Sequence, residues 1–161
     1  MTGLFSRVRS PRSFWGRLGL FTVGAVALFG GLALIEPLVP GDPGNFSVLQ
    51  DASLGVIAML GFAVLAGEAV IFTILPAELS ARFLRNDLWG LIAGAVVYSP
   101  IFHASNGVAG VVFSAWIVLV IGAVYYIQRP SSRIVACAQA IGLKWAFWLS
   151  ALSMIAAERM G

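Results

Sequence analysis

Residues 108–127 read VAGVVFSAWIVLVIGAVYYI, an unbroken run of 20 residues without Asp, Glu, Lys or Arg. A helix needs about 20 mainly apolar residues to cross the hydrocarbon core of a bilayer. This stretch meets that requirement by itself. It therefore predicts a transmembrane helix.

Other apolar stretches predict further helices of the same kind, separated by short segments rich in Pro, Gly, Asn and Ser. In chain order the predicted spans are Phe14–Val39, Leu54–Leu75, Leu88–Phe102, Val108–Ile127 and Ile134–Ala157. The third is short and needs neighbouring residues to reach across a bilayer. No repeat, linker or low-complexity segment interrupts the pattern. We therefore expect residues 1–161 to form one all-α domain, a polytopic transmembrane helical bundle of about five membrane-spanning helices.

Composition points to the same class of protein. Hydrophobic residues make up 60% of the chain and charged residues 11%, and the mean hydropathy is +0.94. Soluble domains have roughly half apolar and about a quarter charged residues, so this chain needs the lipid bilayer as the solvent for much of its surface. The basic residues flank the spans instead of forming a patch with aromatic residues between them. This pattern excludes nucleic acid as a partner.

Because the chain has one cysteine and one histidine, an internal disulfide and several kinds of metal site are excluded. Cys137 is the only cysteine and His103 the only histidine. A disulfide needs two cysteines, and Cys-cluster or multi-histidine metal sites need several such side chains. The sequence therefore requires no metal and no other cofactor, while the binding of a lipid or pigment stays open.

The positions of the basic residues predict the orientation of the chain. With the N-terminus in the cytoplasm, eight of the ten Lys and Arg residues lie on the cytoplasmic side and only Arg159 lies outside. Lys144 lies within a span. The cytoplasmic set consists of Arg7, Arg9, Arg12, Arg17, Arg82, Arg85, Arg129 and Arg133. We therefore expect a multi-pass protein of a bacterial-type inner (cytoplasmic) membrane, with its C-terminus outside.

Three ionisable residues are predicted to lie inside the membrane: Glu68, His103 and Lys144. Such groups are costly in lipid, so they face a bundle interior or a water-filled cavity and are candidates for function. If the second and third helices fold back at their polar connection, Glu68 and His103 lie at similar depth and could activate a water molecule by general base catalysis. Alternatively they only hold the bundle together, with Lys144 neutralising Glu68 and Gln139 joining the network.

Two further patterns concern packing. Gly90 and Gly94 form a G-x-x-x-G pair, which allows helix backbones to approach closely, either within the bundle or at a dimer face. The aromatic residues of the last two spans are expected at the membrane interface and facing lipid. They are Trp116, Tyr125, Tyr126, Trp145, Phe147 and Trp148.

Residues 67–143 resemble the core of the CPBP family of intramembrane glutamic proteases, which includes the CAAX prenyl proteases and the bacteriocin-immunity and abortive-infection proteins. Members carry Glu-Glu-x-x-x-Arg on one helix, Phe-x-x-x-His on the next and His-x-x-x-Asn on a later one. Glu68 matches the first glutamate, Phe72 the phenylalanine common before the motif arginine, and His103 the histidine of the second motif. The resemblance implies that Glu68 and His103 position and activate a water molecule for peptide hydrolysis.

The same alignment shows where this chain departs from the family's motifs. Ala69 replaces the second glutamate, Thr73 the arginine and Ser99 the phenylalanine. Gln139 and Leu143 replace the histidine and the asparagine of the last motif. A Glu–His site needs a base, a group that orients it and a donor for the oxyanion. Glutamine can donate a hydrogen bond, but it cannot exchange protons as histidine does.

The resemblance and the lost motif residues together predict a pseudoprotease. We expect a CPBP-like, non-catalytic accessory or assembly subunit that binds another membrane protein or membrane complex, with Phe72, Gln139 and Lys144 as candidate binding residues. The alternative is a residual intramembrane glutamic endopeptidase in which Glu68 and His103 are the catalytic residues. A small carrier that uses Glu68 and Lys144 is a third hypothesis.

Overall fold

The structure, a computed structural model, describes residues 9–39, 53–84 and 86–160, and in these ranges the chain is helical apart from short connections and contains no β-strand. Its α-helices are α1 (Phe14–Ile35), α2 (Leu54–Ala69), α3 (Leu75–Phe83), α4 (Asp87–His103), α5 (Gly107–Gln128) and α6 (Arg133–Met160). A helix therefore forms at each of the predicted stretches. The predicted loop at residues 40–45 lies outside the described residues.

Local sequence signals set where several helices begin. The side chains of Ser13, Ser53 and Asn86 precede α1, α2 and α4, and each accepts a hydrogen bond from a backbone N–H of the first turn. Such caps satisfy N–H groups that have no partner within the helix. The helix starts thus follow from residues next to the apolar runs.

Four stretches are long and apolar enough to cross a membrane: Phe14–Leu38, Gly55–Phe83, Leu88–Gln128 and Arg133–Met154. The third has 41 residues and runs through both α4 and α5. The described chain is therefore all-helical with four stretches that could span a membrane. The predicted number of five crossings stays a prediction.

The helix that contains Glu68 is longer than the sequence predicted. Its apolar run was expected to end at Leu75, yet the helix continues to Phe83. A π-helical turn, Val70–Ile74, joins α2 to α3. Pro76 lies in the first turn of α3, and the π turn lies directly before that helix.

Helices α4 and α5 pack against each other in antiparallel orientation. Gly122 lies against Leu91, near the start of α4, whereas Val118 lies against Gly94, one turn further along. The chain reverses between the two helices at Gly107, whose φ of +68° is in the left-handed region that favours glycine. The predicted tight turn between the third and fourth apolar stretches is therefore confirmed.

Helix α5 lies at the centre of the bundle and packs against α1, α4 and α6, while α2 packs against α6. Its interior face includes Ile121 and Tyr125, which are 0% and 1% exposed. Leu28 of α1 and Leu143 of α6 complete the same core. The central position of α5 explains why its sequence is apolar on every face.

The expectation that the aromatic residues of the last two spans face lipid is wrong for three of them. Tyr125, Tyr126 and Trp148 are at most 8% exposed, although Trp145 is 39% exposed. Glycines of neighbouring helices make room for the large rings. A Cβ added to Gly61 would lie 2.1 Å from Nε1 of Trp148, so this ring fills the space that the missing side chain leaves.

Candidate functional site

Three polar side chains from three helices meet inside the bundle: Glu68 of α2, Tyr98 of α4 and Lys144 of α6. Oε2 of Glu68 accepts hydrogen bonds from Nζ of Lys144 at 2.8 Å and from Oη of Tyr98 at 2.7 Å. The ammonium also lies 3.4 Å from the phenol oxygen. Tyr98 and Lys144 are 2% and 4% exposed, and the Glu68 side chain is 21% exposed. We call Glu68, Tyr98 and Lys144 the polar triad.

Two members of the polar triad lie at the same distance from the start of their helices. Tyr98 and Lys144 each lie about 16 Å from the first residue of their helix, at about 1.5 Å per residue. The hydrocarbon core of a bilayer is about 30 Å thick, so a helix that entered it at its first residue would carry these side chains to about half that depth. A charge at such a depth is tolerated when it is paired and hydrogen-bonded. The contact between Lys144 and Glu68 supplies that pairing.

Glycines of α4 bring this helix close enough for Tyr98 to reach Glu68. A Cβ added to Gly94 would lie 2.1 Å from the carbonyl oxygen of Phe72, and one added to Gly90 would lie 2.4 Å from that of Pro76. The G-x-x-x-G pair thus packs within the bundle, one of the two uses that the sequence allowed. Tyr98 lies four residues after Gly94 and therefore on the same face of α4.

The π turn places Glu68 at an irregularity of its helix. Glu68 lies in the last turn of α2, just before the π turn Val70–Ile74. Pro76 has no N–H, so it cannot donate the hydrogen bond that Phe72 O would receive in a regular α-helix. That carbonyl instead faces Gly94. Such π turns occur frequently at functional sites, and here the turn holds α2 and α4 together beside the triad.

His103 joins the polar triad through Tyr98. Its Nε2 lies 3.1 Å from Oη of Tyr98, and the centroids of the two rings are 5.2 Å apart. Because the phenol donates its proton to Glu68, this network assigns the proton on Nε2 as the donor to the phenol oxygen. The structure therefore brings Glu68 and His103 into one cluster, as the two motifs suggested, but Tyr98 lies between them.

The geometry limits the chemistry open to Oε2 of Glu68. A general base must accept a proton from a water molecule within hydrogen-bond reach. Oε2 of Glu68 already receives two donors, one of which is the ammonium of Lys144. The described contacts are those of a buried ion pair with a bridging phenol, an arrangement that holds α2, α4 and α6 together.

Of the other candidate binding residues, Phe72 lies at the cluster and Gln139 lies away from it. The Phe72 ring is 4.6 Å from that of Tyr98 and 5.0 Å from that of Phe102, between centroids. Nε2 of Gln139 donates to the carbonyl oxygen of Arg17 at 2.8 Å, which ties α6 to α1. The expectation that Gln139 joins the network of Glu68 is therefore wrong, because its side chain is directed to a different helix.

Sequence reasoning missed Tyr98, although a signal was present. A buried tyrosine needs a hydrogen-bond partner for its hydroxyl group, and Tyr98 is a phenol within an apolar helix, five residues before His103. Residues five apart are not neighbours on the face of a regular helix. The link forms because His103 is the last residue of α4.

A second polar cluster, also missed, lies where α3, α5 and α6 meet. Glu78 accepts a hydrogen bond from Oη of Tyr125 at 2.6 Å. The same carboxylate pairs with Nε of Arg129 at 3.3 Å and with Arg133 at 3.7 Å. Two of the arginines that predicted the topology therefore also connect α3 to the α5–α6 turn.

In the part of the chain that the structure describes, no three His, Cys, Asp or Glu side chains come together as metal ligands would. In comparisons with known proteins, no family model, no curated protein and no solved structure matches this chain.

Proposed function

We propose that this chain is a non-catalytic, CPBP-like membrane protein that serves as an accessory or assembly subunit and binds another membrane protein. One observation carries the non-catalytic part: both donors to Oε2 of Glu68 are protein side chains, Lys144 and Tyr98. The residue that resembles the family's catalytic glutamate is thus used to hold three helices together.

The surface of α2 supports the part of the proposal that concerns a partner. Only 11% of an apolar 18-residue segment of Gly55–Phe83 is buried, compared with 50% of the corresponding segment of Leu88–Gln128. Ala63 is exposed, and nothing lies within 4 Å of a Cβ added to Gly67, four residues later. Small residues on one face allow a second helix to approach closely in lipid. We infer that a transmembrane helix of the partner packs here.

The topology is part of the same proposal. Because α4 and α5 are antiparallel, the 41-residue stretch that they form would account for two crossings, and the total would be five. Charge supports the orientation with the N-terminus in the cytoplasm and the C-terminus outside. The protein then belongs in an inner (cytoplasmic) membrane.

The test is purification of the tagged full-length chain from its native membrane in mild detergent, with identification of co-purifying proteins by mass spectrometry. We expect a stoichiometric membrane-protein partner. Ala63→Leu should release it, whereas the matched control Gly30→Leu should retain it, since a Cβ at Gly30 also meets nothing within 4 Å. Recovery of the chain alone, without any stoichiometric partner, would refute the proposed function.

A residual intramembrane protease is a second candidate, favoured by the chain of hydrogen bonds from Glu68 through Tyr98 to His103. It requires that Glu68→Gln and His103→Ala each abolish cleavage of a membrane substrate without lowering expression. Substrate cleavage that persists at the native rate in both variants rules this candidate out.

A further inference from the structure

The segment before α1 is held against the turn between α5 and α6. Oγ of Ser10 donates to the carbonyl oxygen of Gln128 at 3.2 Å, and Oγ of Ser131 donates to that of Pro11 at 3.0 Å. Nε2 of Gln128, a residue that is 0% exposed, donates to the same Pro11 carbonyl at 3.2 Å. The backbone around Ser10 and Pro11 is therefore placed by specific contacts.

A cavity of about 500 Å³, partly open to its surroundings, lies beside these contacts. It is lined by Arg9, Ser10, Pro11, Arg12, Pro130 and Ser131. Two arginines and two serines are thus among the lining residues, and no acidic residue is. Guanidinium groups recognise phosphate oxygens through paired hydrogen bonds. The volume is within the range of small-ligand sites, about 300–1,000 Å³.

The cavity adjoins the level at which a membrane surface is expected. Phe14 and Trp15, the first residues of α1, are 70% and 76% exposed and follow directly after the cavity. Exposed aromatic residues at the end of an apolar helix mark the boundary between acyl chains and headgroups. Arg9 and Arg12 lie on the polar side of that boundary.

The nearby acidic residue does not cancel the charge of the cavity. Glu78 forms ion pairs with Arg129 and Arg133 at the α5–α6 turn, so its charge is shared by two arginines. The cluster around Glu78 therefore carries a net positive charge. The Glu78 cluster thus adds no net negative charge to this end of the bundle.

We propose that this cavity binds the phosphate group of an anionic phospholipid from the leaflet at the N-terminal side of α1. Basic pockets between transmembrane helices recognise such headgroups. The cavity shares no residue with the surface assigned to the partner helix, and the proposal does not depend on the proposed function. A bound lipid would join α1 to the α5–α6 turn.

The test is a titration of the purified full-length chain with phosphatidylglycerol, with phosphatidylcholine as the zwitterionic control, followed by native mass spectrometry. The double variant Arg9→Gln/Arg12→Gln should bind phosphatidylglycerol about 30-fold more weakly, which corresponds to about 1 kcal/mol for each arginine near an anionic surface. Arg82→Gln is the matched control, since Arg82 is also exposed and lies on the same predicted side. It should bind phosphatidylglycerol like the native chain.

Further measurements distinguish loss of the site from loss of the fold, and lipid binding from the binding of free phosphate. The thermal midpoint of the double variant in phosphatidylcholine nanodiscs should equal that of the native chain, which shows that the fold is intact. Equal binding of the two lipids, or native affinity in the double variant, would overturn the proposal. Inorganic phosphate is the soluble probe, and displacement of phosphatidylglycerol by it at comparable concentration would show that the site binds free phosphate, against the lipid assignment.

Discussion

Removing either member of the Lys144–Glu68 pair should destabilise the bundle more than removing both. The ion pair spans 2.8 Å, which at an effective dielectric constant of about 20 corresponds to about 6 kcal/mol of attraction. Burial of the two charged groups opposes this with a desolvation cost of several kcal/mol for each ion. The complete pair is therefore close to neutral, whereas a single remaining charge is not.

The two single variants should differ because the two groups are buried to different degrees. Glu68→Leu leaves an unpaired ammonium at a side chain that is 4% exposed, and we expect a loss of about 5 kcal/mol in the free energy of unfolding. Lys144→Met leaves a carboxylate that is 21% exposed and still accepts from Tyr98, so the expected loss is about 3 kcal/mol.

The double variant Glu68→Leu/Lys144→Met should be within about 2 kcal/mol of the native chain. Its phenol at Tyr98 can still bond to His103, which limits the cost of losing the carboxylate. A double variant that loses about 2 kcal/mol gives a coupling energy of about 6 kcal/mol between the two sites, which equals the electrostatic attraction across the pair.

The assay is reversible unfolding in mixed micelles of a mild detergent and increasing dodecyl sulfate, followed by tryptophan fluorescence. Trp145 is a suitable reporter because its Nε1 donates to Phe62 O at 3.1 Å, so its fluorescence should change when α2 and α6 separate. A double variant as unstable as the worse single variant would refute the reasoning. So would single variants whose stability equals that of the native chain.

Three other predictions follow from the packing and the topology. Gly94→Ala should lower the free energy of unfolding by about 1–3 kcal/mol, since its Cβ would lie 2.1 Å from Phe72 O. Gly67→Ala is the control in the same unfolding assay and should be neutral or stabilising, because the space around its Cβ is open. Tyr98→Phe should cost about 1.5–3 kcal/mol, because it removes a hydrogen bond to the charged Glu68, and a loss of under about 0.5 kcal/mol would contradict the triad. Reporter fusions should place the C-terminal ends of α1 and α6 on the external side of the membrane and the C-terminal end of α3 in the cytoplasm. A C-terminal end of α6 in the cytoplasm would contradict five crossings.

Much of the architecture could be predicted because the rules involved are local. In lipid a backbone must satisfy its own hydrogen bonds, so a long apolar run forms a helix whatever its neighbours are. The same reasoning identified Glu68 and Lys144 as residues that need partners, since a charge within such a run is costly wherever the helix lies. The positive φ at Gly107 likewise agrees with the tight turn that the sequence predicted there.

The partners of the polar residues could not be predicted, because they depend on which faces of the helices meet. The helices are apolar nearly all round, so the sequence alone does not distinguish an inward from an outward face. Only the tertiary structure shows that Gly94 brings α4 against the π turn, that Tyr98 then reaches Glu68, and that Gln139 is directed to Arg17. The length of each apolar run follows from the solvent that surrounds the chain, whereas the pairing of its few polar groups follows from close packing between helices.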